Sequence, residues 1–113
     1  MFKPGGKHVF LDVWVQDIPD GEIMKKIMAD ASEIAGSQVL HNNIEYFDKD
    51  NSYTCVLMLS ESHASVHTWP EHNFMAFDFF FCGKANDDAA IRYIADNLDY
   101  TKINVKKHLR GET

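Results

Sequence analysis

The sequence predicts an α+β fold, a two-layer sandwich in which two helices pack on one face of a mainly antiparallel sheet. Six segments have the β-branched and aromatic composition, or the alternation, that is typical of strands, and two have the periodicity of amphipathic helices. Taken along the chain, these segments give the order β-α-β-β-β-β-α-β. With 113 residues, the chain is long enough for a single domain with one core, so we expect one domain over residues 1–113.

The first half of the chain contains three predicted strands and one helix. After a loop at residues 4–6, residues 8–15 form the first strand, and residues 22–35 have helical periodicity. Strands at 38–47 and 52–60 follow, and the second of these has so continuous an apolar centre that we expect it inside the sheet. The stripe predicted to face the sheet from the helix comprises Ile23, Ile27, Ala31 and Ile34.

The second half begins with a polar segment, residues 61–69, whose alternation from His63 onward predicts a fourth strand ended by Pro70. Residues 73–82 form the fifth strand. A helix capped by Asn86 or Asp87 is expected to continue to residue 98, before a last strand at 102–108. One face of the fourth strand is predicted to carry His63, Ser65, His67 and Trp69.

Composition excludes several classes of function. The chain is 45% apolar and 25% charged, as in ordinary globular proteins, and its net charge of −6 disfavours binding to nucleic acids and to anionic membranes. No apolar run is long enough to span a membrane, and the first residues lack the apolar core of a signal peptide. Cys55 and Cys82 do not suggest a disulfide framework, so we expect free thiols and a cytoplasmic location.

The two histidines of the polar segment do not predict a metal site. His63 and His67 have the HxxxH spacing that places two ligands one turn apart on a helix. On a strand, however, they are separated by roughly 13 Å, which is too far to share one ion. We therefore expect no metal.

The polar segment resembles a known family once its residues are taken together. Glu61-Ser62-His63, then His67-Thr68-Trp69-Pro70-Glu71, then Phe81-Cys82-Gly83 are similar to the self-processing site of bacterial and archaeal S-adenosylmethionine decarboxylases. These are small pyruvoyl-dependent enzymes of polyamine synthesis. A weaker similarity at Gly6-Lys7-His8 and at His108-Leu109-Arg110-Gly111 extends the resemblance over nearly the whole chain.

The resemblance implies that the chain cuts itself between Glu61 and Ser62, giving a β chain of residues 1–61 and an α chain of 62–113. Ser62 would attack the carbonyl carbon of Glu61, and β-elimination would then leave a pyruvoyl group as a self-made cofactor. His67 and an upstream hydroxyl, here Thr54 in place of the family's serine, would assist the cleavage. The matured group would form a Schiff base with the substrate amine and accept the electrons released by decarboxylation.

The resemblance also implies roles in the reaction itself. Cys82 would protonate the substrate carbon, whereas Cys55 has no such context and is expected to be inert. Substrate binding would fall to residues on several predicted elements, with part of each site supplied by the second subunit of a homodimer. The implied substrate-binding residues are Glu71 for the ribose, Trp69 and Phe47 for stacking, and Asp12, which stands where the family usually has glutamate.

Two alternatives stay open at this stage. Some relatives have switched to ornithine or arginine, and the loop after Phe47, which is about one residue longer than usual, lies near where such a switch could act. The chain could also be an inactive subunit that regulates an active partner. Retention of Glu61, Ser62, His67 and Cys82 together argues against that second alternative, because a dead copy has no chemical reason to keep all four.

Overall fold

In a computed structural model that describes residues 5–111, two helices cover one face of a six-stranded sheet. This confirms the predicted fold class and the predicted order of elements. The loop prediction at Pro4 and the signal-peptide prediction concern residues that lie at least partly outside the described range. The elements are β1 (Gly6–Val15), α1 (Gly21–Ile34), β2 (Val39–Tyr46), β3 (Tyr53–Leu59), β4 (Ser62–Trp69), β5 (Phe74–Cys82), α2 (Asp87–Asp96) and β6 (Tyr100–Arg110).

The strands lie side by side in the order β2-β3-β4-β5-β1-β6, and every neighbouring pair is antiparallel. Side chains along each strand alternate between the two faces of the sheet. The helices cover one of these faces and leave the other uncovered. We call the face away from the helices the open face. The helix-facing core of the four inner strands includes Val9, Leu11, Val13, Cys55, Leu57, Ala64, Val66, Met75, Phe77 and Phe79, all fully or almost fully buried.

Helix α1 begins and ends as predicted, but its buried stripe differs from the prediction. Ile23 and Ile34 are 56% and 48% exposed, while Met24 and Met28 are fully buried beside Ile27. At about 100° per residue, both sets of positions have helical spacing. The side of the helix that faces the sheet includes both Ile27 and Met28. Ile23 and Ile34 lie at the edge of this side and are therefore partly exposed.

The second half of the fold has the predicted elements, although α2 ends at Asp96, two residues before its predicted end. Asn86 caps α2, its side chain accepting a hydrogen bond of 3.1 Å from the backbone N–H of Ala89. Strand β6 is longer than predicted because it pairs with β1 over almost its full length, from Tyr100 to Arg110. Within residues 5–111, no helix is long and apolar enough to cross a membrane.

Candidate active site

The predicted cleavage bond lies in the tight turn between β3 and β4. Leu59 pairs with Ser62, so Ser60 and Glu61 make the two-residue connection, and Ser60 N–H donates to the carbonyl of Gln38 at 2.9 Å. Glu61 has φ of 74°, a left-handed conformation that costs a residue with a side chain roughly 1–2 kcal/mol. The peptide bond that the sequence marks for cleavage therefore follows a strained residue.

Ser62 has a buried hydroxyl next to this bond. Its Oγ is shielded from solvent and has no hydrogen-bond partner among residues 5–111. By strand alternation it continues the helix-facing row of Ala64 and Val66. Buried hydroxyls are nearly always paired, so one without a partner requires an explanation in function. A hydroxyl with no competing hydrogen bond is free to act as a nucleophile.

Cys82 lies at the same end of the sheet as this turn. It is the last residue of β5, on the open face, and is partly exposed. Strands β4 and β5 pair His63 with Phe80, and continuing that register by two residues places Glu61 opposite Cys82. We call Glu61, Ser62 and Cys82 the cleavage cluster.

Glycine is required on the neighbouring strand at this point. Gly6 is the backbone partner of Cys82, and a Cβ on Gly6 would lie 2.2 Å from the carbonyl oxygen of Phe81. Strands β1 and β5 therefore approach each other closely beside the thiol, which explains why a glycine stands at this position.

A second group of predicted site residues lies toward the other end of β4. Thr54 and His67 are directly opposite each other on β3 and β4, and Thr54 Oγ1 lies 2.5 Å from His67 Nδ1. Two rings flank the imidazole, with centroid distances of 4.3 Å for Trp69 and 6.0 Å for Phe47. We call these four residues the histidine cluster. It combines a proton carrier with aromatic surface suited to a flat heterocycle.

The two predicted carboxylates border the histidine cluster. Glu71 is exposed in the 3₁₀ turn that follows β4, and Lys49 Nζ lies 3.3 Å from its Oε2. Asp12 on β1 is opposite Ala76, which in turn is opposite His67, so Asp12 and His67 share one row of the open face. At about 4.8 Å per strand, roughly 10 Å separates them.

The cleavage and histidine clusters are not brought together within one chain. Ser62 and His67 are five residues apart on one extended strand, a distance of roughly 16 Å at about 3.3 Å per residue. The sequence groups them as one catalytic set, yet a single chain leaves them far apart along β4 and on opposite faces of that strand. Either the set is assembled from two chains, or His67 has no part in cleavage.

The comparison with known proteins bears on this arrangement. The family model described as S-adenosylmethionine decarboxylase matches residues 7–111. The chain belongs to the S-adenosylmethionine decarboxylase family. The match spans both clusters and, apart from Gly6, the two terminal segments, so it confirms the resemblance predicted from the sequence.

Individual relatives cover almost the whole chain. A protein named S-adenosylmethionine decarboxylase proenzyme 2, from Bacillus cereus, is 36% identical over 94% of this chain and 89% of its own length. One from Brevibacillus brevis, named S-adenosylmethionine decarboxylase proenzyme, is 40% identical over 94% of this chain and 82% of its own. The crystal structure of the adenosylmethionine decarboxylase from Aquifex aeolicus superimposes with a TM-score of 0.84 at 28% identity, covering 99% and 95% of the two chains.

This member of the decarboxylase family has a further polar pair that the sequence did not single out as a pair. His8 Nε2 lies 3.2 Å from Asp78 Oδ1 on the open face, between the two clusters. Asp78 lies in the outward-facing row of β5 and is partly exposed. The identity of its partner depends on the register of β1 against β5, which no local pattern reveals.

Cys55, which the sequence predicts to be inert, lies in an enclosed position in this family member. It is buried under the helices, its Sγ donates to Asn42 Oδ1 at 3.3 Å, and burial raises the pKa of its thiol to about 11. Among residues 5–111, no group of three His, Cys, Asp or Glu side chains is arranged to hold a metal ion.

Proposed function

We propose that the chain is an autoprocessing, pyruvoyl-dependent decarboxylase of S-adenosylmethionine that supplies the aminopropyl donor for spermidine synthesis. The observation that carries the proposal is the Glu61–Ser62 turn, where a buried hydroxyl without a partner among residues 5–111 adjoins a strained left-handed residue. Relatives named as proenzymes are consistent with a chain that must be cleaved before it works.

Self-cleavage follows from the chemistry of these two residues. Ser62 Oγ attacks the carbonyl carbon of Glu61, and the acyl group passes from nitrogen to oxygen, which replaces the peptide bond with an ester. Loss of the α proton of Ser62 expels the carboxylate of Glu61 and divides the chain into residues 1–61 and 62–113. Water then replaces the nitrogen of residue 62, ammonia leaves, and a pyruvoyl group remains at the new amino terminus. The left-handed strain at Glu61 is released when the bond breaks.

The pyruvoyl group would be made from Ser62 and would therefore stand at that residue's position, where the Ser62 hydroxyl is shielded from solvent. When present, the group's carbonyl accepts the electron pair that remains on the substrate carbon as carbon dioxide leaves. Cys82 is a suitable proton donor for that carbon, because its thiol is partly exposed on the open face at the level of the cleaved bond. Cys55 is buried opposite Val66, four residues along β4 from Ser62 and so roughly 13 Å away, which is too far for it to serve.

The histidine cluster and its neighbouring carboxylates suit the rest of the substrate. The rings of Trp69 and Phe47 offer stacking surface to an adenine, and Glu71 offers an acceptor for ribose hydroxyls. The carboxylate of Asp12 complements the positive charge of the sulfonium and amino groups. In the same cluster, His67 would move protons during cleavage, held by its contact with Thr54.

We further propose that the active form is a homodimer joined through the open face, in the cytoplasm. The roughly 16 Å between Ser62 and His67 is the reason, because two-fold packing of two open faces can place Cys82 and the Glu61–Ser62 turn of one chain beside His67 of the partner subunit. Val56 and Met58 leave about half of their apolar side chains exposed on that face, which favours its burial.

Intact mass tests the central proposal. The purified protein should yield two fragments, residues 1–61 and a 62–113 fragment with a blocked amino terminus, whereas a Ser62→Ala variant should stay whole. Carbon dioxide release from labelled S-adenosylmethionine, ornithine and arginine then identifies the substrate. An unbroken wild-type chain would overturn the proposal. Release from ornithine or arginine alone would reassign the substrate, and stimulation of an active homologue without release would indicate a regulatory subunit.

Co-expression of two uncut variants tests whether the active site is shared between two chains. Ser62→Ala and His67→Ala chains, each expressed alone, should remain uncut. When they are co-expressed, a mixed dimer contains one site with both native residues, so the His67→Ala chain should be cleaved in part. If His67 acted on Ser62 of its own chain, no mixture would restore cleavage.

A further inference from the structure

A buried carboxylate that the chemistry above does not use opens helix α2. Asp87 is only 4% exposed, with Lys7 Nζ 3.1 Å from Oδ1 and Lys107 Nζ 2.7 Å from Oδ2. Lys107 also lies 2.6 Å from Asp88 Oδ1. The arrangement joins the start of α2 to both β1 and β6, and we call Asp87, Lys7 and Lys107 the Asp87 clamp.

The clamp lies a few residues from the proposed proton donor along two routes. Along the chain, only residues 83–86 separate Asp87 from Cys82, and Ala85 N–H donates to the Cys82 carbonyl at 3.1 Å. Across the sheet, Lys7 directly follows Gly6, the backbone partner of Cys82. The clamp therefore ties the loop after Cys82 to the strand beside it.

The charges of the clamp indicate that it fixes the start of α2 relative to β1 and β6. Burial opposes ionisation of Asp87, but the ammonium groups of Lys107 and Lys7 hold the pKa of its carboxyl below the usual value. Buried ion pairs often add little to stability compared with apolar packing, while removing one partner is costly. Such a pair is well suited to fixing the relative position of the elements that it joins.

We propose that Asp87 is a positioning residue for Cys82, holding the end of β5 against β1 so that the thiol stays aimed at the substrate carbon. This inference rests on the proposed role of Cys82 as proton donor. Asp87 touches neither substrate nor thiol and acts through the four-residue loop.

A helix-stabilising role is the competing explanation, because acidic residues in the first turn favour any helix. Asp88 provides the matched control. It lies in the same turn of α2 and carries the same charge, but it is 81% exposed and its described ion pair is with Lys107 alone. Replacing either aspartate by asparagine removes one charge from the helix start, and only the Asp87 change removes the link to β1.

The test is the rate at which iodoacetamide alkylates Cys82 in matured protein, with Cys55 measured in the same digest. In Asp87→Asn, the end of β5 should open more often, so Cys82 should react about threefold faster or more while Cys55 is unchanged. Asp88→Asn should match the wild type. Lys7→Met should show the Asp87→Asn effect more weakly, and it decides the matter if Asp87→Asn does not fold.

Kinetics provide the second readout. With S-adenosylmethionine, Asp87→Asn should lower kcat about tenfold with little change in KM, because misplacement of a reacting group affects the chemical step more than binding. Equal acceleration of Cys82 and Cys55 would indicate general destabilisation and would overturn the inference, as would no acceleration at all. If the wild type released no carbon dioxide, the proposed function would be wrong. The alkylation rates would still show whether Asp87 holds the end of β5 in place.

Discussion

Thr54 Oγ1 and His67 Nδ1 lie 2.5 Å apart across β3 and β4, so one imidazole nitrogen is engaged by a side chain of the neighbouring strand. If His67 acts in cleavage as proposed, Nε2 is the nitrogen that remains to exchange a proton. The orientation of the ring depends on this contact and on packing beside Trp69. Thr54 thus contacts His67 from the position at which the resemblance implies a serine.

Removing the Thr54 hydroxyl should slow self-cleavage. Thr54→Val keeps the volume of the side chain but leaves Nδ1 without its partner, and we expect cleavage to be about 10- to 100-fold slower. The fraction of cut chain over time on a denaturing gel measures this. Thr54→Ser restores the hydroxyl and should cleave at least as fast as the wild type. Normal cleavage in Thr54→Val would show that the contact has no role in processing.

Lys49 should weaken substrate binding because it occupies the carboxylate of Glu71. The Lys49–Glu71 pair is largely exposed and is worth at most about 1 kcal/mol, so Lys49→Met should lower the KM for S-adenosylmethionine by up to about fivefold. The difference should shrink at high salt, which screens the pair in the wild type. Lys26→Met, which breaks the exposed pair with Asp30 on α1, is the control and should leave KM unchanged. An unchanged KM for Lys49→Met at low salt would contradict the prediction.

Gly6→Ala should destabilise the sheet beside Cys82. The added Cβ would lie 2.2 Å from the carbonyl oxygen of Phe81, and relieving such a clash typically costs about 1–3 kcal/mol. The free energy of unfolding in urea measures the loss. Gly83→Ala is the comparison, because a Cβ there meets no atom within 4 Å, and its stability should stay within about 0.5 kcal/mol of the wild type. Equal stability of the two variants would refute the close approach of β1 and β5.

Stability should fall in acid partly through Asp87. Its carboxyl has a lowered pKa in the folded chain and an ordinary one near 3.8 when unfolded, so its contribution is present above about pH 4 and is lost as the pH falls through the folded value. Asp87→Asn should therefore be less stable than the wild type at pH 7, and the gap should narrow below pH 4. Urea unfolding at several pH values tests this. A gap of constant size across the range would show that ionisation of Asp87 does not stabilise the fold.

Much of the architecture was visible in the sequence because it depends on local patterns. The alternation of β4 placed His63, Ser65, His67 and Trp69 on one face, and Asn86 marked the start of α2. The stripe of α1 was misjudged because Ile23 and Met24 both have helical spacing, and only contact with the sheet decides between them.

The site was less predictable because it depends on register between strands. The resemblance implied only that Thr54 and His67 both assist cleavage, and it is the pairing of β3 with β4 that brings the two residues into contact. Residues close in the sequence and assigned to one task, Ser62 and His67, are held apart by the extended strand between them. The Asp87 clamp joins residues 80 and 20 positions apart, which no motif records.

The extended strand β4, which separates Ser62 from His67, has a consequence for the rate of maturation. If a lone chain carries two incomplete halves of the machinery, maturation begins with an encounter between precursors. The half-time of self-cleavage should lengthen when the protein is diluted below the dissociation constant of the dimer. It should be independent of concentration once every chain is paired. Scarce precursor would then persist uncut, so the amount of working enzyme would rise more steeply than the amount of polypeptide made.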